Sequence, residues 1–157
     1  MATEEEKKRN LVKLSSLVIH GLTKALWDMV GEASFSTAQL IGRTNIQMLE
    51  KDMGLEITGE EPADMLTELN RIFVDEIGAM VDADASIEGD KITLTYKGCL
   101  FMRLFKDLAA DGIPPFICPF MGMSMAAMRE RLGTKSRLLD SKIDTDSKVC
   151  VHVFEMF

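Results

Sequence analysis

The chain is poor in the residues that announce most specialised sites: 157 residues carry two histidines, three cysteines, one tryptophan and one tyrosine, Tyr96. No CxxC or HxxxH spacing occurs, which removes the common zinc signatures. No glycine-rich phosphate loop is present, and neither histidine stands in a recognisable motif with a serine or cysteine nucleophile, so a catalytic role has little support. The cysteines, at 99, 118 and 150, are odd in number and scattered, unlike a secreted disulfide framework. With an N-terminus that lacks the layout of a signal peptide, this leads to the expectation of a cytoplasmic chain. Long apolar runs are missing too. The most apolar window, 11–30, includes Lys13, His20, Lys24 and Asp28, too many polar groups for a membrane span of about 20 residues, and reads as a buried helix. Basic charge is scarce overall: a net charge of −7 and a pI of about 4.9 argue against an unaided nucleic-acid binder. Repeats, linkers and low-complexity segments are absent, and the length suits one domain, 1–157.

What is present is a succession of periodic segments. The charged tip 1–9 is expected to fray. Leu11, Leu14, Val18, Leu22, Ala25 and Met29 then recur at helical spacing up to Gly31. A second helix opens near Ser34 or Ser36 and runs to Gly54, with Gly42 inside it. An interior helical glycine costs about 1 kcal/mol against alanine, so Gly42 is read as marking a close helix contact. Pro62 starts a third amphipathic helix through Met65, Leu66, Leu69, Ile72, Phe73, Ile77 and Met80. The period then changes to two: Ile92, Leu94 and Tyr96 alternate with lysines and threonines, and Glu88-Gly89-Asp90 joins them to 85–87 as a hairpin over 84–97. Helical spacing returns over 100–110 and 119–132. A second hairpin pairs 135–143 with 148–156 across Asp144-Thr145-Asp146-Ser147. The predicted order is ααα-ββ-αα-ββ, an α+β architecture with helices packed on an antiparallel sheet built from two β-hairpins.

The most distinctive stretch is 112–133. Pro114, Pro115 and Pro119 bias it towards an extended segment that ends abruptly at a helix beginning with Cys118 as cap and Pro119 as first helical residue, closed by Gly133. A thiol at a helix N-terminus favours thiolate, metal binding or redox chemistry, whereas Phe116, Ile117 and Phe120 around it favour plain burial. Cys150 and His152 share one face of the last strand, and with Cys118 and Asp140 or Asp144 could hold zinc tetrahedrally; the alternative is that Cys150 is a small buried hydrophobe. Cys99 has no distinguishing context. Met121, Met123, Met125 and Met128, with Phe101, Met102, Phe105, Phe116 and Phe120, form a soft apolar surface that reads either as ordinary core or as the wall of a ligand pocket. Trp27 is a buried anchor, a dimer contact or part of that wall. Basic residues outnumber acidic ones by eight to four over 97–142. Of these, Arg129, Arg131, Lys135 and Arg137 surround the end of the 119–132 helix, as dipole-compensating charges or as an anion site.

The element order and the ending Thr145-Asp146-Ser147-Lys148-Val149-Cys150-Val151-His152-Val153-Phe154, together with Cys118-Pro119, Gly133 and the upstream Gln39-Leu40-Ile41-Gly42-Arg43, resemble the 4-vinyl-reductase or hydrocarbon-binding domain family, which is similar in fold to Bet3-type trafficking subunits. The resemblance covers about 35–156. It implies a homodimeric, non-catalytic sensor that holds an apolar small molecule between sheet and helices, at Phe101, Met102, Phe105, Phe116, Phe120, Met121, Met125 and Met128. Phenol-sensing members hold zinc with three cysteines and a glutamate. Cys118 and Cys150 match the first and last cysteines, but Lys142 stands at the middle one and Leu139 or Asp140 at the glutamate. Distant relatives of the fold bind haem, for which His20 would be a ligand if it were not simply a core histidine. Two other readings stay open: a metal- or thiol-based redox sensor centred on Cys118, Cys150 and His152, and a ligand-free protein-interaction subunit.

Overall fold

A computed structural model describes all residues from Met1 to Phe157. Five α-helices and four strands follow in the expected order: α1 (Glu4–Val30), α2 (Thr37–Met53), α3 (Pro62–Arg71), β1 (Asp82–Glu88), β2 (Lys91–Lys97), α4 (Met102–Ala110), α5 (Pro119–Leu132), β3 (Ser136–Asp144) and β4 (Val149–Met156). The fold is α+β, and no helix is long and apolar enough to cross a membrane.

The charged tip, expected to fray, is helical from Glu4 onward. Thr3 Oγ1 accepts from Glu6 N and the Glu6 carboxylate accepts from Thr3 N at 2.8 Å, a reciprocal cap that starts α1 at Glu4. Glu4, Glu5 and Glu6 in the first turn add favourable dipole charge. The third helix is shorter than its apolar pattern suggests. It loosens into a π-turn over Ile72–Glu76, and Gly78, at φ 66°, turns the chain away before Ala79 and Met80 reach the core. For α5 the expected limits hold: Pro119 is its first residue and Gly133 caps it in the left-handed conformation.

The sheet order is β1-β2-β4-β3, antiparallel throughout, so the two hairpins meet where β2 pairs with β4. Its inner face carries Ile92, Leu94 and Tyr96 from β2 and Cys150, His152 and Phe154 from β4, all buried. A bulge interrupts β3. Leu138 pairs with Phe154 but Asp140 pairs with Val153, so Leu139 is the extra residue and the side-chain alternation is inverted beyond it.

The core is organised around α5, in which every side chain from Phe120 to Met128 is buried. A helix apolar on all sides belongs inside a domain. It is clamped between the sheet, where Tyr96 Oη and Ser124 Oγ lie 3.3 Å apart, and α2, whose Gly42 meets Gly122. Phe73 packs edge-on against Phe120 at 4.9 Å and against Tyr96 at 6.4 Å, joining the π-turn after α3 to both.

Candidate functional site

The methionine and phenylalanine residues picked out by sequence are divided by α5 rather than gathered into one pocket. Phe105, Phe116 and Met128 are at most 1 % exposed and belong to the solid core, with Phe116 stacked on Trp27 at 5.9 Å. Met102, at the start of α4, is half-buried against the core and borders neither of the two large clefts. Phe101 and Phe120 face one cleft, while Met121 and Met125 face another. The division follows from helix geometry. Residues one apart on α5 point about 100° apart, so Phe120 and Met121 serve different sides of the same helix.

The first cleft, of about 510 Å³, opens between α1, α2, the start of α4 and the start of α5. Its walls are Ile19, Leu26, Ile41, Leu104, Phe101 and Phe120 with their apolar neighbours. Polar atoms are few. Thr23 Oγ1 donates to Ile19 O at 2.7 Å and is thereby satisfied, which leaves the Asn45 amide as the polar side chain at the wall. Sequence reasoning missed Ile19, Ile41 and Asn45, because a helix pattern shows that a face is apolar but not what it faces. The second cleft, of about 760 Å³, lies between the start of α2, the Pro114-Pro115 turn, α5 and β3. It mixes Met121 and Met125 with Arg129, Ser136 and Arg137.

The proposed metal set does not assemble: no three His, Cys, Asp or Glu side chains come together closely enough to hold an ion. Strand register explains this. Cys150 is paired with Ile143 and His152 with Ser141, while Asp140 and Asp144 pair with Val153 and Val149 and so project from the other face. Asp140 is instead bound by Lys142 at 3.0 Å, which holds its carboxyl below the usual range. His152 is fully buried, with Nδ1 2.8 Å from Ser141 Oγ and Nε2 without a hydrogen-bond partner. Burial alone pushes its pKa down to about 4, so the ring is neutral at physiological pH.

The three thiols are free and buried, and each is raised above the ordinary cysteine range chiefly by desolvation, Cys150 to about 12. At Cys118 the Met121 and Phe120 N–H groups pull the other way, and burial outweighs them. The helix N-terminus therefore does not activate this thiol, which weighs against the redox reading. His20 is held by Asp111 at 3.0 Å from Nε2, tying α1 to the end of α4. Of the basic cluster, Arg131 donates from Nη2 to both carboxylate oxygens of Glu50 and Arg137 is paired with Glu155, whereas Arg129 donates to the neutral Gln39 Oε1 at 2.7 Å.

A family model described as "Putative rubredoxin C-terminal domain" matches residues 15–154, and the chain belongs to that family. No curated protein matches the sequence. Among solved structures, the fold is similar to the phenol-responsive sensory domain of the transcription activator PoxR with phenol, at 13 % identity and a TM-score of 0.55, covering 90 % of this chain and 74 % of that one. It is also similar to an Fe(II) unliganded H-NOX protein from K. algicida, at 14 % identity and TM-score 0.52 over 87 % of this chain and 70 % of that one. A further H-NOX protein, from work on heme distortion in that family, is similar at 10 % identity and TM-score 0.52 over 99 % and 73 %. At these identities the likeness is one of fold.

The residues present suit neither a thiolate-bound iron nor a haem. A tetrahedral iron site of four thiolates is beyond a chain with three cysteines and no CxxC pair. For haem, His152 borders neither large cleft, and His20, already engaged by Asp111, borders only a cleft of about 240 Å³, below the usual range for small-molecule sites of about 300–1,000 Å³.

Proposed function

We propose that this member of the rubredoxin C-terminal domain family is a non-catalytic binding domain that senses a neutral, apolar small molecule in the cleft between α1, α2, α4 and α5. One observation carries the reading. A recess of about 510 Å³, within the ordinary range for ligand sites, is walled almost wholly by hydrocarbon and offers the Asn45 amide as its polar contact. Such a wall selects ligands by apolar area, and one amide can orient a single hydroxyl or carbonyl. A phenol-sized molecule has this chemistry, in keeping with the phenol-responsive domain of similar fold and with the resemblance to the hydrocarbon-binding, 4-vinyl-reductase-like domains.

The domain works as a homodimer joined through α1. Leu11, Leu14, Val18 and Leu22 are each more than half exposed, and with Ala25 they form a stripe whose spacings, 3, 4, 4 and 3, are symmetric about Val18. A stripe of that symmetry matches itself when two copies of α1 run antiparallel about a two-fold axis at Val18. The same arrangement sets Lys8 of one copy near Asp28 of the other. Leu22 also borders the apolar cleft, so the second copy would cover one lip of the ligand site.

Nuclear magnetic resonance titration of the full chain with p-cresol and toluene tests the binding site. Saturable shifts are expected at Ile41, Leu104 and Phe101, with both probes weakened by Phe101→Ala and the preference for p-cresol over toluene removed by Asn45→Ala. Shifts confined to other surfaces, or an Asn45→Ala variant that still prefers p-cresol, would contradict it.

A further inference from the structure

The second cleft differs from the first in a way that specifies another class of ligand. Its inner wall is Met121 and Met125, and its opposite wall is the bulged part of β3 around Leu138, a kind of distortion that often re-aims strand side chains at a site. Ser136 also lines it; the residue is 7 % exposed, and its buried Oγ has no hydrogen-bond partner in the protein. A buried hydroxyl left unpartnered is costly unless something completes it. At its rim stands Arg129. The neighbouring Arg131 and Arg137 are compensated by Glu50 and Glu155, but Arg129 is held in place by the uncharged Gln39 amide and keeps its positive charge unmatched. The carboxylate that also borders the cleft, Asp140, is engaged by Lys142 and by Ser141 N.

We infer that this cleft is a second ligand site, separate from the apolar one, and that it takes an amphipathic organic carboxylate whose hydrocarbon part lies on Met121 and Met125 and whose head group is bound by Arg129 and Ser136 Oγ. Each part of the ligand answers a feature of the site. The flexible thioethers accommodate an alkyl or aryl body of variable shape. The guanidinium presents a planar fork matched to a carboxylate, and the serine hydroxyl donates the hydrogen bond it lacks in the free protein. The volume of about 760 Å³ suits a chain of medium length. A neutral apolar molecule would leave the Ser136 hydroxyl unpartnered and the Arg129 charge unmatched, so the two clefts discriminate between ligands by charge.

Isothermal titration calorimetry of the full chain with sodium decanoate and with 1-decanol, below the micellar concentration of the former, tests this at neutral pH. Decanoate is expected to bind at one site and 1-decanol more weakly by about tenfold or more, the usual worth of a charge-assisted contact. Arg129→Gln should abolish most of that advantage while leaving the fold and p-cresol binding intact, since Arg129 is on the surface and distant from the apolar cleft. Ser136→Ala should weaken decanoate several-fold, and the Met121 and Met125 methyl resonances should shift on binding. Failure of decanoate to bind, equal affinity for decanoate and decanol, or an undiminished affinity in Arg129→Gln each overturns the assignment. Decanoate shifts at Phe101 and Leu104 without shifts at Met121 and Met125 would overturn it as well, by placing the probe in the other cleft.

Discussion

The backbones of Gly42 and Gly122 meet where α2 crosses α5: a Cβ on Gly42 would overlap the Gly122 carbonyl, and one on Gly122 would lie 2.7 Å from Ala38 O. The contact is backbone against backbone, so no rotamer change can relieve an added methyl. It also fixes the helix that divides the two clefts.

Gly42→Ala is therefore expected to destabilise the protein by about 2–3 kcal/mol, at the upper end of overpacking effects, despite the better helix propensity of alanine. Gly21, inside α1, is the control. Nothing lies within 4 Å of a Cβ there, and Gly21→Ala should stabilise by about 0.5–1 kcal/mol. Urea unfolding of the two variants beside the parent measures both, and equal effects would refute the close crossing.

His152 makes stability depend on pH in a defined window. Its pKa is lowered on folding, from 6.5 to about 4, so between those values the unfolded chain binds the extra proton and the folded one does not. Stability should be fully present above pH 6.5, fall as the pH drops towards 4 and level off below, a loss of roughly 3 kcal/mol from this residue. Denaturation midpoints of the parent and of His152→Gln across that range give the comparison. An identical slope in the two would show that the histidine is not the titrating group.

The thiols should be silent until the chain opens. With Cys150 raised to about 12, its thiolate fraction at pH 8 is on the order of one in ten thousand, and Cys118 and Cys99 are shifted in the same direction. A disulfide reagent such as Ellman's should label no cysteine rapidly in the folded protein and all three in denaturant. Rapid native labelling of Cys118 would restore the case for a reactive thiol at the start of α5.

Association through α1 should fail when the centre of its stripe is charged. Val18 is exposed, so Val18→Glu costs the monomer fold little, while in the dimer it sets two carboxylates against each other at the two-fold axis. Sedimentation equilibrium is expected to show a dimer for the parent and a monomer for the variant. A parent that sediments as a monomer, or a variant that remains dimeric, removes α1 as the interface.

Local chemistry was enough to determine the order of elements, the limits of α5 between Pro119 and Gly133, and the meaning of Gly42, because prolines, glycines and apolar periodicity act over a few residues and can be read along the chain. The fate of Cys118, Cys150 and His152 could not be read that way. The extra residue at Leu139 reverses which β3 side chains face inward, bringing Ser141 and Ile143 beside His152 and Cys150 where an unbroken strand from Leu138 would have brought Asp140 and Lys142. Nor could the sequence separate Met121 and Met125 from Met128, or Arg129 from Arg131, since those distinctions depend on which side of α5 meets α2 or the sheet and on which acid lies across the gap. Composition therefore supplied a soft apolar helix flanked by cations, and only long-range pairing and packing made of it a solid core with two chemically different clefts.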